Sequence, residues 1–206
     1  MKIIYNIPNI IRMAGMERIL AIKANYLAGL TGMEVVIITY EQKNLPLAFD
    51  FSDKIRFYDL DIDYAACRGK NIFWNKIRRI IYTKRHQRRL EEILLKEKPD
   101  ITISMMTGRE REWLYRLKDG SKKILECHFS YFSYQNVKGI INRYKIKRFL
   151  NKIKYYDRLV VLTEEDRKDW GRKDNIVVIP NALTFYPKES WEGSIGGGVF
   201  SIASSF

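Results

Sequence analysis

Cysteine, histidine and proline are scarce in this chain, with two, two and five residues among 206. Cys67 and Cys127 make no metal-ligand pattern and no disulfide framework, so two isolated thiols are expected to stay reduced in a cytosol. No stretch approaches the ~20 consecutive apolar residues of a membrane span. The first apolar segment, Ile3–Ile11, is interrupted by Asn6, Pro8 and Asn9 and has no cleavage-site pattern, which excludes a signal peptide. There is no G-x-G-x-x-G, so a nicotinamide or flavin dinucleotide has little support. No Ser/His/Asp grouping and no metal-ligand spacing occurs, and metal catalysis is not indicated. The expectation is a soluble cytoplasmic protein.

What is present is globular. Apolar residues make up 46% and charged residues 30% of the chain, enough for a sizeable core. The formal net charge is +13. It is concentrated: residues 68–98 hold eleven Lys or Arg against three Glu, and residues 138–158 hold eight against one Asp. Such a charge calls for a partner or a solvated face. Nucleic acid is one anionic candidate, but no helix-turn-helix, RRM, KH or zinc signature accompanies the charge. An anionic membrane surface is the other, met peripherally by basic residues beside Phe149 and Tyr155.

Apolar runs and helical periodicities alternate along the whole length. Lys2–Ile7 reads as a strand. Residues 14–30 have helical spacing, with Ile19, Ile22, Tyr26, Leu27 and Leu30 on one face. Glu34–Thr39 is a second strand, completing a βαβ unit with an expected right-handed crossover. Ile55–Leu60 reads as a strand nearer the edge, and Phe73–Lys98 as a long helix whose apolar positions sit at its two ends. Ile101–Met105 and Lys123–His128 are strands separated by a short helix over Glu110–Leu117. Lys138–Tyr156 is mostly helical, with Ile146, Phe149, Leu150, Ile153 and Tyr156 on one stripe. The pattern predicts an α/β fold: a Rossmann-like open, mainly parallel sheet with helices on both faces.

Ligands of such sheets bind outside the carboxyl ends of the strands. That rule gathers Pro8–Gly15, Thr107–Arg109, Cys127–Tyr131 and Thr163–Asp166 at one edge. Gly15 and Glu17 stand where the first helix begins, and backbone N–H groups there suit a phosphate or a polarised oxygen. A tight strand-to-helix turn is the plainer reading of Gly15. His128, closing the strand in Glu126-Cys127-His128, is placed to hydrogen-bond a sugar hydroxyl or a phosphate. A buried structural histidine is the alternative. Arg109 either holds an anionic acceptor or lies on the surface. Glu164-Glu165-Asp166 reads as a charge complement to a helix N-terminus.

The most informative stretch is residues 159–181. Leu159–Leu162 is a short apolar strand, Thr163 caps a helix from Glu164 with Asp166 at capping-box distance, and Ile176–Ile179 runs into Pro180-Asn181. This segment resembles the exit from the N-terminal domain of family 4 glycosyltransferases, retaining enzymes of the GT-B fold. The resemblance extends over residues 1–188 and implies an acceptor-binding domain. It further implies transfer of a hexose from a nucleotide-sugar donor to a polysaccharide or lipid-linked acceptor, once paired with a C-terminal nucleotide-sugar domain. It casts His128 as the active-site histidine, and Gly15 and Glu17 match the family; with Arg109 and Thr163, which stand at the same edge, they are the expected substrate-binding residues. No metal and no cofactor beyond the donor substrate is implied. The family has Gly-Gly where Ala14-Gly15 stands, a departure at Ala14.

Only twenty-five residues follow Asn181, and residues 189–206 change to a Gly/Ser-rich tail with no Lys or Arg. The expectation is a chain truncated before its second domain, with a disordered or aberrant tail and no activity alone. A non-catalytic basic module for a membrane surface or nucleic acid is the rival reading. A sugar-nucleotide epimerase of the same two-domain fold is the third.

Overall fold

The computed structural model describes residues 1–67, 69, 71–135, 138–171 and 174–181. The tail at 189–206 lies outside these residues. Seven strands form one sheet: β1 (Lys2–Asn6), β2 (Glu34–Thr39), β3 (Arg56–Asp59), β4 (Ile101–Ser104), β5 (Lys122–Glu126), β6 (Arg158–Val161) and β7 (Ile176–Val178). Their order is β3-β2-β1-β4-β5-β6-β7 and every pairing is parallel. β-Branched residues dominate β2 and β4. In β2, five of six residues are buried, as a strand covered on both faces requires.

The helices are α1 (Gly15–Gly29), α2 (Ile72–Glu97), α3 (Phe132–Gln135), α4 (Ile140–Leu150) and α5 (Glu164–Asp169). Right-handed crossovers put α1 on one face, because the chain there steps from β1 outward to β2. After β3 the chain reverses direction and crosses to β4, so α2, α4 and α5 cover the opposite face. Two cores follow. One joins Leu20, Ala24 and Ala28 of α1 to Ile3, Tyr5, Val35, Ile37 and Ile103. The other joins Leu90 and Leu94 of α2, Trp113, Leu114, Phe149, Ile153 and Trp170 to Ile4, Val36, Leu125 and Leu159.

The structure departs from the sequence reading in four places. The inward stripe of α1 is Leu20, Ala21, Ala24 and Ala28, whereas Tyr26 and Leu30 point outward. Small alanines let the helix approach the sheet more closely than the larger residues would. Glu110–Glu112 and Leu114–Arg116 form two separate 3-10 turns on either side of Trp113, and Trp113 and Leu114 are both buried. Phe149 belongs to the core, not to the basic surface. Most consequential is α2. Its carboxyl half is anchored by His86, Leu90 and Leu94, the two leucines each worth roughly 1.5–3 kcal/mol of burial. Its amino half exposes Ile72, Phe73, Trp74, Ile80 and Ile81.

Candidate functional site at the carboxyl edge of the sheet

The strands' carboxyl ends bring the first helix, the loop after β4 and the end of β5 together. α1 starts at Gly15 behind Ala14, whose extended backbone (φ −107°) ends the preceding loop without a side-chain cap. The first N–H groups of the helix therefore keep no capping partner from Ala14. A Cβ built on Gly15 would meet nothing within 4 Å. The protein's own packing thus places no demand for glycine there. Glu17 lies in the first turn, and its Oε2 is buried with no hydrogen-bond partner. The loop after β4 reaches this helix through Thr107 Oγ1, which lies 3.9 Å from Met16 Sδ.

Lys23 of α1 pairs with Glu126, the last residue of β5. His128 follows two residues beyond the strand, and its Nε2 lies 3.0 Å from Glu126 Oε1. The N–H direction is out of line for a hydrogen bond, so the contact is an ion pair when the ring is protonated. The His128 and Glu126 side chains are only 6% and 5% exposed. Burial pushes the Glu126 carboxyl up, but His128 and Lys23 together outweigh it and hold the group below the usual carboxylate range. Glu126 is thereby an anion at neutral pH, placed against Lys23 and the His128 ring. Between Glu126 and His128, the Cys127 thiol is bonded to the Phe129 carbonyl, and burial raises it to about 11. A thiol so shifted is inert as a nucleophile.

Arg109 goes elsewhere. Its guanidinium lies over the Tyr64 ring, 4.3 Å from the centroid, on the α2 side of the sheet. Beneath it, Ser104 Oγ donates to Glu110 Oε1 at 2.7 Å, while Glu110 Oε2 has no partner. Burial raises the Glu110 carboxyl to about 7, against the lowering effect of Ser104. His86, packed against Tyr40 and Trp113, is pushed down to about 3 by burial and then by the Arg109 charge. A Cβ at Gly108 would run into the Glu110 carboxylate, which would have to shift from its bond to Ser104. This buried cluster supports the 107–109 loop from below.

Thr163 is the N-cap of α5: its Oγ1 accepts from the Asp166 N–H at 3.0 Å and lies 3.2 Å from Asp166 Oδ2. Its hydroxyl is therefore engaged within the chain. Gly15, Glu17 and His128 each follow the carboxyl end of a strand, Lys23 ties α1 to Glu126 beside His128, and Arg109 and Thr163 are engaged in other contacts. Lys23 was not singled out from the sequence. Its signal was a charge beside the alanine stripe of α1, matched by an acid closing β5. Among the described residues, no group of three or more His, Cys, Asp or Glu is arranged to hold a metal.

The model of the family described as Glycosyltransferase Family 4 matches residues 13–184. The chain belongs to this family. No curated protein matches it significantly. Among solved structures, it is similar to the lipopolysaccharide outer core galactosyltransferase WaaB in its apo form, with a TM-score of 0.58 and 15% identity. That match covers 89% of this chain and 46% of WaaB, and the likeness is one of fold. The UDP-GlcNAc 2-epimerase of Methanocaldococcus jannaschii aligns at a TM-score of 0.43 and 16% identity, over 87% of this chain and 45% of the epimerase. The family 4 chain thus spans less than half the length of either neighbour.

Proposed function

We propose that this family 4 domain is the acceptor-binding half of a retaining glycosyltransferase. It works with a nucleotide-sugar-binding domain to move a hexose onto a polysaccharide or lipid-linked acceptor. The observation that supports this most is the buried Glu126–His128 pair at the end of β5, tied through Lys23 to the helix whose uncapped start borders the same edge. Glu126 keeps the His128 ring fixed, leaving Nδ1 as the nitrogen available to a ligand. Glu17 Oε2 is an acceptor without a donor, a complement to a sugar hydroxyl, and the N–H groups at Gly15 suit an anionic oxygen. Arg109 and Thr163 keep supporting roles in this proposal: one positions the loop beneath which Glu110 is buried, the other starts α5.

The diphosphate leaving group of such a transfer needs electrostatic stabilisation, usually the largest catalytic contribution. In this proposal the second domain provides it. The 206-residue chain alone is expected to transfer no sugar from a panel of nucleotide sugars. Continuous with a nucleotide-sugar domain it should transfer one, and His128→Gln should lower that rate by roughly 10²–10⁴-fold. Turnover by the chain alone at ~1 s⁻¹ or more, or full activity of His128→Gln, would sink the proposal.

A peripheral contact with an anionic bilayer accompanies this reading, at the cytoplasmic face where a lipid-linked acceptor would be presented. The supporting observation is the outer half of α2, where exposed Phe73 and Trp74 lie among Lys76, Arg78 and Arg79. Among the described residues, no helix is long and apolar enough to cross a membrane.

A further inference from the structure

On the α4 face of the sheet, a pocket of about 650 Å³ opens between the turns that lead into β5 and β6. It lies toward the amino ends of those strands, away from the edge that holds His128. Its walls come from three segments: Tyr115 and Arg116, Arg148 at the end of α4, and Lys152, Lys154 and Tyr155 beyond it. The Tyr115 and Tyr155 rings stack with centroids 5.2 Å apart, giving the pocket an aromatic side. Arg116 rests 5.4 Å from the Tyr115 centroid, and Lys154 rests 5.1 Å from that of Tyr155.

The charge here is one-sided. Lys152 is paired with Glu112 at 2.5 Å, while no ion pair to Arg116, Arg148 or Lys154 occurs among the described residues. Residues 138–156 contain seven Lys or Arg and no Asp or Glu. Three cations converging on one concave space repel one another unless an anion joins them. A single carboxylate would engage at most two, whereas a diphosphate presents enough oxygens for all three. The volume lies within the range of small-molecule sites, and the tyrosines offer an apolar wall to whatever the phosphates carry.

We propose that this pocket binds a diphosphate or similarly phosphate-dense ester, as a site separate from the sugar-transfer edge. The ligand is either a soluble phosphate ester or the phosphate of a lipid headgroup. Neither the site nor its ligand depends on the reading of His128.

The test is titration calorimetry of the 206-residue chain with inorganic pyrophosphate at low ionic strength. Saturable binding is expected. Arg148→Gln combined with Lys154→Gln, both exposed and absent from the core, should weaken it about tenfold, equivalent to about 1.4 kcal/mol. Arg78→Gln with Lys84→Gln removes the same charge from α2 and should leave the affinity within about twofold. No saturable binding, or equal weakening by both pairs, overturns the proposal. Binding of a single-stranded oligonucleotide without any binding of pyrophosphate also overturns it, in favour of a nucleic-acid surface. Phosphatidylglycerol vesicles then distinguish the sources. Competition with pyrophosphate identifies a headgroup phosphate, and its absence identifies a soluble ester.

Discussion

Burial raises the Glu110 carboxyl and lowers the His86 ring, and the two shifts act on stability with opposite signs. Glu110 has its carboxyl raised from 4.5 to about 7 by burial, so the folded state keeps a proton that the unfolded chain has already lost. Its contribution is fully present below pH 4.5 and is lost as pH rises through about 7. His86, lowered from 6.5 to about 3, behaves the other way: stability is present above 6.5 and is lost as pH falls toward 3. Comparing the wild type with Glu110→Gln cancels the His86 contribution, which is common to both. The difference in thermal midpoint between the two, read from pH ~5 to ~7.5, should move steadily against the wild type. A difference independent of pH would mean that Glu110 is not a buried neutral acid. The same residue explains Gly108, whose missing side chain leaves room for that carboxyl.

The elements differ in how far they could be read in advance. β2 is a nearly unbroken β-branched run, and β1 and β6 carry the short apolar runs Ile3-Ile4-Tyr5 and Leu159-Val160-Val161; a strand covered on both faces leaves that mark on a sequence. α5 was legible too, because Thr163 and Asp166 stand at capping distance and do cap. Thr163→Ala should destabilise the protein by about 1 kcal/mol in urea denaturation, and Thr163→Ser by much less. Equal loss from both would deny the cap. α1 was legible as a helix but not in its orientation, because alanines carry little hydrophobic signal although they sit closest to the sheet. The 3-10 turns at 110–116 were hidden, since long-range packing of Trp113 and Leu114 overrides local preference. At the candidate site, His128 could be named from its place after a strand. The Lys23–Glu126 pair joins positions 103 residues apart, a distance no local pattern spans.

Over the whole molecule, the +13 charge and the apolar outer half of α2 make one testable prediction. Each Lys or Arg close to an anionic leaflet contributes roughly 1 kcal/mol, and insertion of Phe73 and Trp74 would add apolar burial. The chain should co-sediment with anionic but not neutral vesicles. Binding should fall at high salt as the Debye length shrinks below about 8 Å, and fall further in Phe73→Ser with Trp74→Ser. Equal binding to neutral vesicles, or an unchanged double variant, would contradict it. The strand order also has a consequence for synthesis. β1 lies inside the sheet, between β2 and the central strand β4, yet β4 ends only at Ser104. Between Thr39 and Ser104 the ribosome adds about 65 residues, roughly 3–13 s at usual elongation speeds. For that interval the first βαβ unit has emerged with one edge of its most buried strand bare. A nascent chain with an open apolar edge is what chaperones recognise, so the interior position of β1 makes the growing polypeptide dependent on shelter before the finished domain needs none.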